Sequence, residues 1–216
     1  MWVELYRPQN FDEIVGQPLI INKIKQNLYT KNITNMMFSG PNGTGKTTTA
    51  LAIAKHLFGN DLVGNFKEVN ASDKTKRGIE FVSKEIIPYL RHTPLTVSAP
   101  FKLLLLEEAD SLTTEAQQAL RRPLEKYNKN TRIIMTVNYP DNIINAIKSR
   151  FIEYEFSPIG NSSLIRRLKY IAENEGIDFT EKQYGKIAEK VGGDLRKGVN
   201  ILQNMQADTS DFSGVF

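Results

Sequence analysis

One run of eight residues has the composition and spacing of a phosphate-binding loop. It extends from Gly40 to Thr47, fits the pattern G-x-x-x-x-G-K-[ST], and lies between a predicted strand and a predicted helix. Glycines let backbone N–H groups turn toward phosphate oxygens, and the positive end of the next helix adds to their field. Lys46 would lie in the first turn of that helix, where a cation is unfavourable unless an anion is present. Thr47 would offer its hydroxyl to Mg²⁺. The alternative is a glycine-rich turn with a solvated lysine. The predicted phosphate-site residues are Gly40, Pro41, Asn42, Gly43, Thr44, Gly45, Lys46, Thr47 and Thr48.

Two carboxylates, Glu107 and Glu108, follow the apolar run 103–106. In a sheet that carries a phosphate loop, this strand end faces the phosphates. One carboxylate can then hold Mg²⁺, often through water, and the next can polarise an attacking water. We therefore predict Glu107, together with Thr47, as a metal ligand and Glu108 as the general base. The alternative is an acidic, solvated strand end.

The elements that would position these residues alternate along the chain, as expected for a parallel sheet covered by helices. Strands are predicted at 36–39, 66–70, 101–106, 132–137 and 151–156, and helices at 46–58, 77–90, 114–127 and 141–148. Three further helices are predicted at 162–175, 181–191 and 194–205, with no strand among them. We therefore expect an α/β domain over 1–158, a small three-helix domain over 159–206 and a polar tail over 207–216.

Composition narrows the class of protein. The 216 residues are 40% hydrophobic and 24% charged, which disfavours disorder, collagen-like repeats and coiled coil. The absence of cysteine excludes a disulfide scaffold, a cysteine metal site and a thiol nucleophile. The longest apolar run, 103–106, is far shorter than the roughly 20 residues that span a bilayer, so we expect a soluble, intracellular protein without a membrane partner. The net charge of +4 permits a nucleic-acid partner without requiring one.

Several short stretches together match a known family. They are Trp-Val-Glu at 2–4, Tyr-Arg-Pro at 6–8, Ile-Val-Gly-Gln at 14–17, Asn-Ala-Ser-Asp at 70–73 before an unusually long loop, and Ala-Gln-Gln-Ala-Leu-Arg-Arg at 116–122. With them the sequence resembles, over nearly its whole length, the small subunits of replication factor C, the clamp loaders within the AAA+ ATPases. The resemblance implies a five-stranded parallel AAA+ sheet, a helical lid over ATP and an N-terminal adenine-binding segment. That segment would contribute Val3, Tyr6, Arg7, Pro8, Val15, Gly16 and Gln17.

Three more positions match functional residues of that family. Asn138 matches the sensor 1 asparagine, Arg150 the arginine finger that reaches a neighbouring subunit's γ-phosphate, and Arg196 the sensor 2 arginine. Asp194 is a predicted N-cap that would place Arg196 in the first helical turn, where bound phosphate would relieve an unfavourable dipole. Because an arginine finger contributes about 10³–10⁵ in rate in related phosphoryl-transfer enzymes, we expect weak ATPase activity in isolation. The alternatives are a turn residue at Asn138 and an ordinary surface arginine at Arg150.

Three departures from the family pattern are expected to matter. Glu107 stands where most catalytic members have aspartate, and Mg²⁺ tolerates displaced ligands badly, so hydrolysis is expected to be slower. Pro123 falls within a predicted helix, where it should remove a hydrogen bond and produce a kink. Phe151 replaces the family's cysteine, which is expected to alter packing and leave the chemistry unchanged.

The resemblance implies a subunit that uses ATP and Mg²⁺ to load a sliding clamp onto primer-template DNA. Its partners would be the clamp, the DNA and the large and small clamp-loader subunits, in the nucleus of a eukaryote or the cytoplasm and nucleoid of an archaeon. Arg77 and Lys84, on one face of a predicted helix, are the candidate DNA contacts, and Lys74 and Lys76 would add to them. The alternative is a solvated helix face.

Two other functions stay open from the sequence. The Glu107 substitution is also compatible with a structural subunit that binds nucleotide while a partner hydrolyses it. Another AAA+ machine, such as a branch-migration motor, fits the shared motifs less well. The family's C-terminal helical collar, which chiefly holds the subunits in a ring, has no counterpart within the 216 residues. We therefore expect a truncated form, a fragment or an unusually short paralogue that binds ATP but assembles poorly.

Overall fold

A parallel five-stranded sheet forms the centre of the molecule, as predicted. The computed structural model describes residues 1–73, 75, 77–94 and 99–210, with backbone alone for 207–210. The strands are β1 (Met36–Ser39), β2 (Phe66–Asn70), β3 (Lys102–Glu107), β4 (Thr131–Val137) and β5 (Ile152–Glu155). Their order is β2-β3-β4-β1-β5, and every neighbouring pair is parallel. The phosphate loop follows β1, so the end of β4 lies directly beside it and the end of β3 lies one strand further away.

Helices cover both faces of the sheet, and the last three helices of the chain form a separate group. They are α1 (Trp2–Leu5), α2 (Pro18–Tyr29), α3 (Lys46–Phe58), α4 (Leu62–Asn65), α5 (Ile79–Phe81), α6 (Ile87–Arg91), α7 (Thr114–Lys126), α8 (Asn145–Lys148), α9 (Asn161–Asn174), α10 (Glu181–Val191) and α11 (Leu195–Ser210). The predicted bounds of α3 and α10 are confirmed. The predicted end of the last helix at 205 is wrong, because its backbone stays helical through Ser210.

The strand sequences explain why helices pack on both faces of the sheet. The central strands β1, β3 and β4 are apolar on both faces, since each is covered on both sides. One core cluster joins side chains such as Phe38 and Leu105 to α2 and α3, and a second joins Met37 and Leu106 to α7 and α8. The sheet is thereby held rigidly between two helical layers, which fixes the positions of the side chains at its carboxyl edge.

The three C-terminal helices have their own core, and Trp2 belongs to it. Its side chain packs with residues of α9, α10 and α11, and its backbone N–H donates to Gln203 Oε1 at 3.0 Å. Helix α10 begins with a capping box, in which Thr180 and Gln183 satisfy each other's backbone N–H groups. The N-terminal segment therefore runs beside the three-helix group.

The helix predicted at 77–90 begins at Ile79 and contains a π-helical turn. Residues Val82–Ile86 adopt the wider turn between α5 and α6. Pro88 lies in the first turn of α6 and has no N–H to donate to the carbonyl of Lys84. Because that bond cannot form, this stretch departs from regular α-helical spacing.

The helix predicted at 141–148 is also interrupted. A 3₁₀ turn covers Pro140–Asn142, and the next two residues are extended before α8 begins. Gln117 replaces the missing helical bonds, because its Nε2 donates to Asn142 O at 2.9 Å and its Oε1 accepts from Ile144 N–H at 2.9 Å. The extended stretch lets Ile143 point into the core, where it is buried.

Other expectations concern single residues. Helix α7 continues through Pro123 to Lys126, and because proline has no N–H, one helical hydrogen bond is absent there as predicted; the kink stays a prediction. Phe151 packs against the core cluster that contains Met37. Lys74 and Lys76 lie outside the described residues, as does 211–216. No helix in the described part of the chain is long and apolar enough to cross a membrane.

Candidate nucleotide site

A cleft opens at the carboxyl edge of the sheet, between the α/β domain and the three-helix group. Of the residues predicted from the sequence, its walls contain Val3, Tyr6, Arg7, Pro8, Val15, Asn42, Gly43, Thr44, Gly45, Lys46, Thr47, Thr48, Glu107, Glu108, Asn138 and Arg196. Residues predicted from motifs more than a hundred positions apart are thus brought together. The ends of β1, β3 and β4 supply the polar floor of the cleft, and α1, α9 and α11 supply much of its apolar wall.

Four of the predicted nucleotide residues lie behind the cleft wall. Gln17 Nε2 donates to Ser157 O at 2.6 Å and to Thr44 O at 3.3 Å, so it braces the phosphate loop from behind. Gly16 packs so closely that a Cβ there would lie 2.9 Å from the Ile159 side chain. Gly40 and Pro41 direct their carbonyl oxygens to Lys46. These residues shape the loop and do not line the cleft.

Lys46 is the most constrained cation of the site. Its Nζ donates to Gly40 O at 2.6 Å, Pro41 O at 2.8 Å and Asn138 Oδ1 at 2.9 Å. Burial lowers its pKa to about 8, although the nearby carboxylate of Asp110 acts in the opposite direction. The ammonium therefore lies at a helix N-terminus with only neutral oxygens as hydrogen-bond acceptors. A phosphate would supply the negative charge that this position lacks.

Thr47 and Glu107 meet at the predicted metal position. The hydroxyl of Thr47 donates a hydrogen bond to Glu107 Oε1, so two oxygen atoms that could coordinate a metal ion already lie close together there. Hard oxygen ligands in this small number suit Mg²⁺, which keeps several waters or phosphate oxygens. Among the described residues no cluster of three histidine or carboxylate side chains is placed to hold a metal alone. The donor set therefore fits a Mg²⁺ ion shared with nucleotide phosphates.

A second carboxylate lies beside Glu107. Glu68 is two residues before Asn70, which pairs with Glu107 in the β2–β3 register, so both side chains lie on the same face of the sheet. Burial raises the pKa of Glu68, and so do the charge of Glu107 and a hydrogen bond with it. Glu68 is not among the residues predicted from the sequence, because its only signal there is the alternation along an edge strand.

Glu108 has an unusual backbone. Its φ of +51° and ψ of 44° place it in the left-handed region, which side-chain-bearing residues rarely adopt. Its N–H donates to Thr136 Oγ1 at 3.1 Å, and its carbonyl accepts from Ser111 N–H at 2.8 Å. The turn lifts Glu108 out of the strand direction at the floor of the cleft, beside Asn138.

The start of α11 is docked on the phosphate loop. Leu195 N–H donates to Gly43 O at 3.2 Å, and Asp194 caps the helix by accepting from Lys197 N–H at 3.0 Å. The N-cap role predicted for Asp194 is thus confirmed. Gly43 has φ +73°, and a Cβ there would lie only 1.9 Å from Asp194 Oδ1. This close approach places Arg196, in the first turn of α11, in the cleft wall.

The part of the cleft between α1, α9 and α11 is lined mainly by apolar side chains, together with Tyr6, Arg7 and Arg167. The lining side chains that the sequence analysis did not assign to the site are Trp2, Ile14, Asn70, Thr136, Ile159, Arg167, Ile171, Leu195 and Val199. Arg167 is nearly buried; its Nη2 donates to Tyr6 O at 2.8 Å, and its guanidinium stacks on Tyr170. The Tyr6 hydroxyl donates to Glu175 Oε1 at 2.5 Å, a bond that raises the pKa of Tyr6 to about 12. These contacts join the N-terminal segment to α9.

Arg150 does not line the cleft. Its guanidinium forms an ion pair with Glu125 on α7 and donates to Ala146 O on α8. Its Nε is buried and lacks a hydrogen-bond partner. Arg150 is therefore held on the outer side of the α/β domain, away from this chain's own phosphate loop.

The two candidate DNA contacts are exposed but are not on one regular helix. Arg77 precedes α5, and its backbone carbonyl accepts from Thr113 N–H at 2.9 Å. Lys84 lies in the π-helical turn and pairs with Glu80 at 2.5 Å. Arg77 is outside the helix and the turn is wide, so the regular helix on which the seven-residue spacing was based is not present.

Comparison with known proteins agrees with this geometry. A sequence profile of the AAA family, "ATPase family associated with various cellular activities", matches residues 36–158. The replication factor C small subunit of Aeropyrum pernix is 45% identical over 204 residues, which are 94% of this chain and 62% of that protein. That of Archaeoglobus fulgidus is 45% identical over 207 residues, which are 96% of this chain and 64% of that protein. The chain thus spans less than two thirds of the length of these relatives.

Solved structures show the same fold in a more distant protein. The RuvB Holliday junction branch migration motor of Thermotoga maritima matches with a TM-score of 0.76 over 94% of this chain and 65% of that one. The two are 18% identical, so this likeness concerns the fold alone. The sequence profile covers more than half of the chain, including the phosphate loop and the Glu107–Glu108 pair. The chain therefore belongs to the AAA family of ATPases.

Proposed function

We propose that this chain is an ATP-driven subunit of a sliding-clamp loader. The observation that carries the proposal is the convergence in one cleft of Lys46, the Thr47–Glu107 pair, Glu108 and Asn138. These are the parts that phosphoryl transfer to water requires: a phosphate cradle, a metal position and a base. The likeness to replication factor C small subunits supports the clamp-loading role.

Binding would begin with an exchange of partners at Lys46. Its ammonium would give up the neutral oxygens of the loop for phosphate oxygens, which form stronger, charge-assisted hydrogen bonds. Arg196 would add a second cation from α11, and the apolar side chains around Trp2 would cover the base. Mg²⁺ held by Thr47 and Glu107 would neutralise charge that develops on the phosphates during transfer.

Hydrolysis would depend on Glu108 and on a neighbouring subunit. Glu108 would take a proton from the attacking water, and the amide of Asn138 would help position that water or the γ-phosphate. Arg150 lies outside the cleft, which suits a residue that acts on a neighbour's nucleotide. To test this, Arg150→Ala would be introduced into the complete loader, with Arg166→Ala on α9 as the control. A loss of stimulated hydrolysis approaching 10³-fold is expected for Arg150→Ala, and unchanged hydrolysis would refute the role in trans.

A matched substitution tests whether Glu107 limits turnover. Glu107→Asp shortens the side chain by one methylene while keeping its charge, so the metal position changes and little else does. Unchanged turnover in the complete loader would show that Glu107 is already competent. A large gain would instead favour the structural, hydrolysis-impaired subunit.

DNA contact through Arg77 and Lys84 is a separate part of the proposal. Each phosphate contact should contribute about 0.9 to the slope of log affinity against log salt concentration. We expect Arg77→Ala to weaken binding of the complete loader to primed DNA and to reduce that slope by about one unit. Lys182→Ala, an exposed substitution on α10, is the control and should leave the slope unchanged. An unchanged slope for Arg77→Ala would remove this contact from the proposal.

A further inference from the structure

Glu108 has a costly backbone conformation, and one neighbouring side chain accepts a hydrogen bond from its N–H. Among the described residues other than glycine, only Lys31 and Glu108 have a positive φ. Lys31 follows an exposed helix end, whereas Glu108 lies at the floor of the cleft. Strained backbone of this kind persists where the surroundings over-determine it, and it is concentrated at functional sites. The residue that holds this turn is therefore of interest.

Thr136 is placed to hold it. Strands β3 and β4 are paired as far as Leu106 and Met135, so Thr136 is one residue beyond the last register pair. Its Oγ1 accepts the Glu108 N–H at 3.1 Å, in place of a backbone carbonyl. The Thr136 side chain is buried and lines the cleft, so no bulk water competes freely for this bond.

The same strand end makes a second tie on the other side of Glu108. Tyr139 N–H donates to Asp110 Oδ2 at 3.0 Å. Two hydrogen bonds, one at Glu108 and one at Asp110, therefore join the chain after β3 to the chain at the end of β4. Of the two, only the bond to Thr136 involves the backbone of Glu108 itself.

We propose that Thr136 is a positioning residue for Glu108. Its hydroxyl fixes the left-handed turn and so aims the Glu108 carboxylate at the water that attacks the γ-phosphate. Thr136 itself takes no proton from the water and need not touch ATP. The inference rests on the proposed role of Glu108 as the base.

Two substitutions at Thr136 separate positioning from packing. Thr136→Val keeps the shape and removes the acceptor, and Thr136→Ser keeps the acceptor and removes a methyl group. Thr131→Val is the matched control, because Thr131 is a buried threonine at the far end of β4. Steady-state ATP turnover would be measured in the complete loader, and ATP dissociation constants and urea unfolding would be measured on the chain.

We expect Thr136→Val to lower kcat about tenfold, which is the effect of losing one well-placed hydrogen bond, while ATP affinity changes less than about twofold. Thr136→Ser should recover kcat to within about threefold, and Thr131→Val should match the wild type. Exchange of the Glu108 amide, followed by NMR, should accelerate in Thr136→Val and not in Thr131→Val. A serine variant as slow as valine, or a loss of affinity equal to the loss of kcat, would overturn the inference.

Glu108→Gln distinguishes an error about the role of Thr136 from an error about Glu108 as the base. If Glu108→Gln retains full turnover, Glu108 is not the base, and the role proposed for Thr136 falls with that assignment. If Glu108→Gln abolishes turnover while Thr136→Val turns over normally, the inference about Thr136 alone is wrong.

Discussion

Replacing Gly43 by alanine should separate α11 from the phosphate loop. The Cβ of alanine would lie 1.9 Å from Asp194 Oδ1, about 1.5 Å closer than the 3.4 Å at which ordinary van der Waals contact begins. The Cβ would also lie 2.5 Å from Asp194 Cγ and 3.1 Å from its Cα, so we expect both the capping side chain and the backbone at the start of α11 to shift away. That movement breaks the bond from Leu195 N–H to Gly43 O and carries Arg196 away from the phosphates.

The size of the effect follows from the interactions lost. The left-handed backbone at φ +73° costs alanine about 1–2 kcal/mol, and one hydrogen bond adds about 1 kcal/mol. Loss of a charge-assisted bond from Arg196 to phosphate costs about 1.5–3 kcal/mol of binding, which lowers ATP affinity about tenfold to a hundredfold. Fluorescence titration of a labelled ATP and urea unfolding would measure the two effects separately.

Gly192→Ala provides the control for backbone strain. Gly192 also has a positive φ, +57°, but nothing lies within 4 Å of the position that its Cβ would occupy. It should lose roughly 1 kcal/mol of stability and keep full ATP affinity. If Gly43→Ala binds ATP as tightly as Gly192→Ala, the contact between α11 and the loop does not support binding, and the reasoning fails.

Three further predictions concern the fold. Burial lowers the pKa of Lys102 to about 8. Above about pH 8 the unfolded chain therefore binds more protons than the folded chain, and the free energy of unfolding should rise with pH. Lys102→Met should flatten that rise when urea unfolding is compared at about pH 7 and pH 10. Leu105→Ala should cost about 2–5 kcal/mol in urea unfolding because Leu105 is fully buried, whereas Leu19→Ala, on the surface, should cost less than about 0.5 kcal/mol. Gln117→Ala should cost about 1–3 kcal/mol by leaving two backbone groups near Ile143 unpaired, with faster amide exchange at 144 as the local readout.

Local patterns predicted the phosphate loop and its helix well. The loop from Gly40 to Thr47 is bounded by an apolar strand and an α-helix, and each boundary depends on residues close in sequence. The meeting of Thr47 with Glu107 could be predicted because the carboxyl ends of parallel strands share one edge. Asn138 was assigned through its match to the family's sensor 1 position, and it follows β4 and accepts a hydrogen bond from Lys46.

Other parts of the site depend on contacts between distant segments, for which no local pattern exists. Arg167 is one buried residue on an amphipathic helix, and its place in the cleft wall is set by the docking of Tyr6 from the other end of the chain. Thr136 looks like any threonine in a buried strand until the turn at Glu108 is seen. Helix α2 is missing from the predicted elements, although Ile21, Ile24 and Leu28 have helical spacing and are buried.

The most direct test of the account is ATP turnover by the complete loader, with and without the clamp and primed DNA, for the wild type and for Glu108→Gln. We expect the clamp and primed DNA to stimulate wild-type turnover. We expect Glu108→Gln to bind ATP normally but to lose this stimulated turnover by at least about 10²-fold. Stimulated turnover that survives in Glu108→Gln would contradict the assignment of the base. Wild-type turnover that does not respond to the clamp and DNA would contradict the clamp-loading role.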